Sequence, residues 1–223
     1  MTPIRGLGAV TLALGLTALV GCGSDKLASA PSTTEASSST PGSTPSTDAT
    51  AYCTSKGGTP ETRQAYFNTN ADQAQWVALG QSKTLCRFES NDADKSRIYI
   101  DVDSLAAEQP TLAAAAYLAK LPVQSTGGAN PAAVDCNQNV LGTSSYGTTV
   151  SGGGWVNLAD PVFTVVDMCT FADGSAIDEW GITYYSNDIV RGADLAPMFR
   201  FDPAVVSQIF PQGSTRALPT TTT

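Results

Sequence analysis

Acidic side chains are the first candidates for chemistry in this sequence, because its 223 residues include 20 Asp and Glu but no His. Without histidine, neither a Ser-His-Asp nor a Cys-His arrangement can form, which excludes the common nucleophilic hydrolases. A pair of carboxyl groups could still act as the acid and base of a glycosidase. Two candidate pairs that lie close in sequence are Asp101 with Asp103 and Asp178 with Glu179.

Predicted strand geometry decides between these two pairs. Successive side chains of a strand point to opposite faces of a sheet, so Asp178 and Glu179 are not expected to meet. Asp101 and Asp103 share one face, but an acidic, exposed strand face is the more common reason for such a pattern. We therefore predict no catalytic residue and keep a candidate surface site. Its members are Asp101, Asp103, Trp155 and Asp173.

No metal or other cofactor is predicted. The stretch that begins at Asp92 places Asp94 and Ser96 as a calcium-binding loop would. Its sixth residue is Arg97 rather than Gly, however, and its twelfth is Asp103 rather than a bidentate Glu. Zinc would require closely spaced cysteines, and the Gly-rich segment SGGGW lacks the Lys-Ser/Thr pair of a phosphate-binding loop.

Four cysteines after residue 50 predict an internal duplication. They form two pairs, each 33 residues apart: Cys53 with Cys86, and Cys136 with Cys169. A shift of 83 residues superimposes the pairs and also places Phe88 on Phe171. Both copies have a Trp-Val-x-Leu segment before the second cysteine. The agreement indicates a tandem repeat, with unit one at residues 51–124 and unit two at residues 125–212.

The duplication also bears on how the cysteines pair. Four cysteines allow three connectivities, and a repeat favours the one in which each copy closes its own disulfide. That connectivity is Cys53–Cys86 with Cys136–Cys169, and the alternatives interlock the two copies. In the chain-entropy treatment, each disulfide would stabilise the fold by roughly 3–4 kcal/mol.

A β-hairpin is predicted as the framework of unit two. The strand pattern PVFTVVDMCTF is followed at once by Asp173-Gly174, a strong short-range hairpin signal. The return strand is predicted to be SAIDEWGITYY, in which Trp180, Ile182 and Tyr184 share the core face.

Unit one is predicted to combine a similar hairpin with helices. Its return strand is RIYIDVDSL, and PTLAAAAYLAKL is a helix that begins near Thr111 and stops before Pro122. The segment GGTPETRQAYF is predicted to open a further helix, with Thr59 as the N-cap and Pro60 at the first helical position. The expected fold class is α+β, with two duplicated antiparallel hairpin units and one long helix, packed as one disulfide-bonded domain.

Residues 1–22 are predicted to be a lipoprotein signal peptide. Arg5 precedes an apolar run of about fifteen residues, and LVGC has the form of a lipobox ending at Cys22. In such a protein the cysteine is diacylated and becomes the new N-terminus; a plain signal peptide is the alternative. Since a spanning helix needs about 20 apolar residues, we expect a lipid anchor on the extracytoplasmic face of a bacterial cell membrane.

A disordered linker at residues 23–50 and a disordered tail at residues 213–223 are predicted on either side of the folded part. Ser, Thr, Pro and Ala dominate the linker, and no large apolar residue follows Leu27 in it. Processing removes Arg5 and no acidic residue, so the net charge falls from −8 to −9. Such an acidic chain excludes nucleic acid as a partner.

Several short motifs resemble a known family. The motifs of unit one are Tyr52-Cys53 and Gly57-Gly58. Those of unit two are Asn130-Pro131-Ala132, Cys169-x-Phe171-x-Asp173-Gly174-Ser175 and Glu179-Trp180. Together they resemble the hemolysin-labelled small domain of unknown function found in bacterial lipoproteins. The family pattern often has a further cysteine just after Asp-Gly-Ser, where this chain has Ile177. The resemblance covers most of residues 47–202 and implies no established activity.

The expected function is that of a lipid-anchored envelope lipoprotein acting as a non-catalytic binding or structural module. Its partners would be the membrane, through acylated Cys22, and an envelope protein or cell-wall ligand that the sequence does not identify. A carboxylate-dependent hydrolase is the first alternative. A peptidase-inhibitor-type module, common among small disulfide-bonded secreted domains, is the second.

Overall fold

The computed structural model describes residues 47–123, 130–146, 152–161 and 165–210, which form an α+β fold. Within these ranges the α-helical segments are α1 (Thr47–Ser55), α2 (Val102–Ala106), α3 (Leu112–Ala119), α4 (Pro131–Val134), α5 (Glu179–Tyr185) and α6 (Val206–Ile209). The strands of the same ranges are β1 (Thr59–Phe67), β2 (Val77–Glu89), β3 (Arg97–Asp101), β4 (Thr143–Ser144), β5 (Gly153–Val156), β6 (Val165–Val166), β7 (Met168–Thr170) and β8 (Ala176–Asp178).

These strands form one antiparallel sheet in the order β4-β7-β8-β3-β2-β1-β5-β6. The two predicted units meet within it, because β3 of unit one lies beside β8 of unit two and Ile100 pairs with Ile177. Helices α2, α3 and α5 contribute buried side chains to the main core together with Ile98 and Ile100 of β3. The halves of the chain therefore share a sheet and a core.

Two disulfides cross this core, and they are the pairs that the duplication predicted. Cys53 of α1 is bonded to Cys86 of β2, and Cys136 is bonded to Cys169 of β7. Cys136 lies in a π-helical turn that continues α4. All four sulfur-bearing residues are buried, so each disulfide fixes a helix to a strand from inside the fold.

The segment predicted to begin a helix at Thr59 is strand β1 instead, so that prediction is wrong. Its residues pair with β2 from Thr59 opposite Arg87 to Phe67 opposite Val77. Strand pairing over this length outweighs a local N-cap signal, because propensity is a weak determinant beside tertiary contacts. Pro60 is tolerated because β5 pairs only from Gln64 onward, which leaves β1 at the sheet edge around the proline.

Both predicted return strands are too long. Strand β3 ends at Asp101 and β8 at Asp178, and in each case the aspartate becomes the N-cap of the helix that follows. The capping carboxylates accept hydrogen bonds from the backbone N–H groups of Ser104 and Gly181. An aspartate cap satisfies a free helical N–H and so stops a strand as effectively as it starts a helix.

The core face predicted for unit two is consequently wrong. Ile182 is buried, but Trp180 is half-buried and Tyr184 is 37% exposed. In helix α5 these two aromatic residues are four positions apart and lie on the same helical face. That face looks outward, which places both rings at the surface of the domain.

Helix α3 confirms the prediction made for the Ala-rich segment. The hydroxyl of Thr111 accepts a hydrogen bond from the N–H of Ala114 at 3.3 Å, as an N-cap should. Lys120 ends the helix with a φ of 46°, in the left-handed region, before Pro122. The alanines from Ala113 to Ala116 are all buried, so their small side chains allow α3 to pack closely against the sheet and α5.

The predicted end of the linker, residue 50, lies four residues too late in the sequence. Helix α1 begins at Thr47, so residues 47–50, which were assigned to the linker, belong to the folded part. Cys22, the remainder of the linker, and the tail at residues 213–223 lie outside the described residues.

Candidate functional site

Two members of the predicted surface site are buried, and the prediction is wrong for them. Asp101 is 6% exposed and Trp155 is 5% exposed, whereas Asp103 and Asp173 are exposed. Trp155 lies in β5 and packs in a second buried cluster with Tyr99. Asp101 and Asp103 do not share a strand face, because β3 ends between them.

Hydrogen bonds show that two of these aspartates have a structural role. Asp101 accepts from the N–H of Ser104 at 2.8 Å and from the N–H of Ala176 at 2.6 Å. Asp173 accepts from the N–H of Leu112, the first residue of α3, at 2.8 Å. Both carboxylates thus connect an element of unit one to an element of unit two.

The calcium-loop resemblance also lacks a structural counterpart. Asp92, Asp94 and Ser96 lie in the turn between β2 and β3, while Asp103 lies in α2 at the opposite end of β3. Five strand residues separate them, a length of about 17 Å. Among the described residues, no group of three or more His, Cys, Asp or Glu side chains is placed to hold a metal ion.

A different place on the domain has the properties of a binding site. A cleft of about 580 Å³ lies where the β2–β3 turn, β6 and α5 meet. The residues that line it include Asp167, Asp178, Trp180, Tyr184 and Arg191. Small-molecule sites typically occupy about 300–1,000 Å³ and combine apolar walls with a few polar groups. We therefore take this cleft as the candidate functional site.

Local structure explains how the cleft acquires its walls. Asp178 caps α5, and the cap directs the helix so that Trp180 and Tyr184 project from one face. The centroids of these two rings are 5.8 Å apart and their planes are inclined by 37°. Asp167 lies in the short connection between β6 and β7, next to Met168, which pairs with Asp178. Two acidic and two aromatic side chains are thereby gathered around one opening.

Burial changes the acidity of the carboxyl groups here. It raises the pKa of Asp167 to about 6 and the pKa of Asp178 to about 6. It also raises the pKa of the neighbouring Glu179 to about 7. The negative charge of Asp167 acts in the same direction on the other two carboxyls, while Arg191 opposes the rise at Asp178. Groups with such shifts in a cleft are typical of functional sites.

The two arginines of the cleft differ in how they are held. Arg97 donates to Glu89 at 2.7 Å and to Asp160 at 2.8 Å, so two carboxylates balance its charge. The guanidinium of Arg191 lies 5.3 Å from the centre of the Tyr184 ring. The lining contains three acidic residues, Asp94, Asp167 and Asp178. Because Arg97 is already paired, these three outnumber the remaining arginine and leave the cleft acidic.

A buried arginine lies behind this wall of the cleft and contacts residues that hold it in place. Arg63 of β1 is fully buried and its guanidinium donates to Glu61 at 2.6 Å and to Asp160 at 3.0 Å. It also donates to the hydroxyl of Tyr99 at 3.2 Å, and Tyr99 lines the cleft. Asp160 therefore bridges the buried Arg63 and the cleft residue Arg97, which fixes both in place.

Sequence reasoning missed most of this site. It singled out Asp178 only as half of an excluded pair and treated Trp180 as a core residue. The available signal was the pattern Asp178-Glu-Trp-Gly, in which an aspartate precedes a short segment and can cap a helix. No local signal connects Asp167 or Arg191 to them, because the cleft depends on the packing of distant elements.

Comparison with protein families, curated proteins and solved structures finds no match for this chain. Across the described ranges, no helix combines the length and apolar character needed to cross a membrane.

Proposed function

We propose that this chain is a lipid-anchored lipoprotein of the cell envelope whose folded part binds a ligand in the cleft without transforming it. The cleft carries the proposal, because two aromatic residues, apolar side chains, the half-buried Asp167 and the buried Asp178 line one opening. Two disulfides suit an oxidising, extracytoplasmic compartment. That compartment agrees with the export signal and with Cys22 as the acylated residue.

The folded part is further proposed to consist of two copies of one ancestral unit, related to the hemolysin-labelled domain. Strand order supports this, since β4-β7-β8 of unit two mirrors β3-β2-β1 of unit one across the centre of the sheet. The registers correspond as well. In unit one the residues paired in a row are Pro60, Cys86 and Ile100, and in unit two they are Ser144, Cys169 and Ile177.

The surroundings of the disulfides add independent support for the duplication. A Cβ atom on Gly58 would collide with the sulfur of Cys86, and one on Gly142 would collide with the sulfur of Cys169. The same two added atoms would lie 3.0 Å from the ring of Phe88 and 3.1 Å from the ring of Phe171. Each unit therefore places a glycine and a phenylalanine against its own disulfide in the same way.

A carboxylate-dependent hydrolase is the second candidate, favoured by one specific observation. Asp167 and Asp178 face the same cleft, and burial raises the pKa of each to about 6. A carboxyl group with that pKa can donate or accept a proton near neutral pH. Recovery of a cleaved ligand from the wild-type protein, but an intact one from Asp178→Asn, would favour the hydrolase over the binding module.

The anchor is tested by replacing Cys22. In producing cells, Cys22→Ala is expected to leave the membrane fraction and to be found in the medium or as the unprocessed chain, since the acylated residue is gone. Cell fractionation and intact-mass measurement of the mature N-terminus give the result. A Cys53→Ala, Cys86→Ala double variant is the control, because it removes two cysteines without touching the lipobox. A processed, fully membrane-bound Cys22→Ala protein would contradict the lipoprotein assignment.

Ligand binding at the cleft is tested by photo-crosslinking in the same cells. A photoreactive amino acid at Tyr184, on the cleft wall, is expected to capture an envelope component, because its ring is both exposed and adjacent to the opening. The matched control carries the same amino acid at Leu158, which is 60% exposed and lies outside the cleft. Equal adduct yields at both positions, or none at Tyr184, would argue against a cleft ligand.

A further inference from the structure

Some polar side chains that line the cleft are already bonded to the protein itself. Asp94 accepts a hydrogen bond at 3.3 Å from a backbone N–H of its own turn, and Arg97 is paired with two carboxylates. The hydroxyl of Tyr99 accepts from a buried guanidinium at 3.2 Å. Asp178 caps helix α5 by accepting from a backbone N–H at 3.2 Å. These four groups have structural partners, so they do not by themselves determine what the cleft binds.

Two charged side chains of the lining differ from these. Asp167 is half-buried, and its carboxylate has no hydrogen bond or ion pair to any residue that the structure describes. Arg191 is also half-buried, and across the same ranges no carboxylate lies within ion-pair distance of its guanidinium. That guanidinium lies 5.3 Å from the centre of the Tyr184 ring, and its charge acts on Asp178 without an ion pair. Half-buried polar groups are normally hydrogen-bonded, so this acceptor and this donor are available to a ligand.

The aromatic residues of the cleft add further unused groups. Within the described part of the chain, neither the indole N–H of Trp180 nor the hydroxyl of Tyr184 makes a hydrogen bond. Ile189 and Val190, each 49% exposed, line the same opening. The cleft therefore offers donors, an acceptor and apolar surface at one place.

The unused groups restrict the chemistry of the ligand. It should donate to Asp167, accept from Arg191 and cover aromatic surface. A hydroxyl group both donates and accepts, whereas an ammonium group only donates and a carboxylate only accepts. Arg191 opposes the entry of a cation, and the acidic residues of the lining oppose that of an anion. A neutral compound with several hydroxyl groups satisfies both charged side chains.

We propose that the cleft binds a neutral saccharide, with its hydroxyl groups bonded to Asp167 and Arg191 and a sugar ring against Trp180 or Tyr184. This inference rests on the proposed binding function and names the class of its ligand. A sugar ring carries hydroxyl groups at its edge and C–H groups on its faces, so it matches polar groups and aromatic rings together. A peptide fits less well, because strand addition needs an open strand and β6, the strand that lines the cleft at the end of the sheet, has two residues.

The test begins with a panel of neutral trisaccharides. Full-length protein in a polyoxyethylene detergent, which contains no sugar, is titrated by calorimetry at pH 7.5 with maltotriose, cellotriose, mannotriose and the trimer of N-acetylglucosamine. At least one is expected to bind with a Kd below about 10 mM. Its per-O-methylated form should bind about tenfold more weakly or not at all, because methylation removes the hydroxyl donors.

Three results would overturn the proposal. The first is binding by none of the four trisaccharides, and the second is equal binding after methylation. The third is tighter binding of a charged trimer, that of glucosamine or of galacturonic acid, than of every neutral probe. Each of these results would show that hydroxyl groups on a neutral ring are not what the cleft recognises.

Two variants place the bound sugar in the cleft. Trp180→Ala is expected to weaken binding of the best trisaccharide about tenfold or more, since it removes an aromatic contact. Its matched control is Trp76→Ala, because Trp76 is also half-buried but lies outside the lining. Equal losses in the two variants would contradict a site in the cleft.

Asp167→Ala is expected to weaken binding about tenfold as well, through loss of the acceptor. The exposed Asp103, outside the lining, supplies the control Asp103→Ala, which should keep the affinity within about twofold. Circular dichroism establishes that the variants fold. If Trp180→Ala does not fold, Asp167→Ala decides, because the Asp167 carboxylate has no partner among the described residues to lose. Unchanged affinity in Asp167→Ala would overturn the proposal.

These outcomes are distinct from those for the proposed function. A photo-adduct at Tyr184 that contains a peptide or a lipid, together with no binding of the trisaccharides, would contradict the saccharide inference and leave the binding module standing. A photo-adduct whose mass spectrum shows hexose or N-acetylhexosamine units would support both.

Discussion

Replacing Arg63 by methionine is expected to lower the free energy of unfolding by about 3–5 kcal/mol, the usual cost of removing one partner from a buried ion pair. Arg63 is fully buried and pairs with Glu61 and Asp160, whose side chains are only 13% and 7% exposed. Methionine fills a similar volume but supplies no charge and no donor. Glu61 would keep Arg87 and Asp160 would keep Arg97 as a partner, but both carboxylates would lose their buried counter-charge.

Urea denaturation under oxidising conditions, with both disulfides intact, measures the effect. Arg200→Met is the matched control, because Arg200 pairs with Glu108 at the surface, where the side chains are 41% and 75% exposed. Exposed pairs of this kind contribute about 0–1 kcal/mol. If Arg63→Met costs no more than Arg200→Met, the network behind the cleft does not stabilise the fold as described.

Stability is also expected to fall as the pH rises from about 5 to 7.5. Burial raises the pKa of Asp167 and Asp178 to about 6 and that of Glu179 to about 7 in the folded protein. The same groups have pKa values of about 4 when unfolded. Between these values the folded state binds more protons than the unfolded state, so the free energy of unfolding decreases with increasing pH.

These three groups together are expected to contribute a difference on the order of 2–5 kcal/mol between pH 5 and pH 7.5. Denaturation curves at both pH values measure it. The double variant Asp178→Asn, Glu179→Gln keeps the helix cap and should reduce the difference without abolishing it, because burial also raises the pKa values of Asp101, Asp135 and Asp167. A wild-type protein that becomes more stable over this pH range would show that these carboxyls are not protonated in the fold as described.

The sequence predicted those parts of the fold that depend on local patterns. The spacing of the cysteines anticipated both disulfides, Thr111 marked the start of α3, and Asp173-Gly174 marked a tight turn between β7 and β8. Each of these features depends on a few neighbouring residues or on a repeat interval. They require no knowledge of which distant elements pack together.

Other parts of the fold depend on competition between alternative secondary structures, which local sequence patterns do not resolve. Thr59-Pro60 carries a helix-start signal, yet pairing with β2 makes the segment a strand. In the sequence, Asp101 and Asp178 could continue a strand or cap a helix. In the structure each caps a helix, because each accepts a hydrogen bond from a backbone N–H group, that of Ser104 or Gly181. The outcome in each case is set by partners that lie outside the local window.

The cleft itself could not be predicted, because its walls come from residues far apart in sequence. Asp94, Val166 and Arg191 meet only after β3, β6 and α5 are in place. The equivalence of Asp101 and Asp178 becomes visible once Leu85 is found opposite Asp101 and Met168 opposite Asp178. A repeat seen in the sequence thus gains chemical meaning only when the strand registers are known.

The most direct measurement of the binding cleft is a crystal structure of the protein with the envelope component captured at Tyr184. We expect that component to occupy the cleft, against Trp180 and Tyr184. A component bound elsewhere on the domain would contradict a ligand site in the cleft.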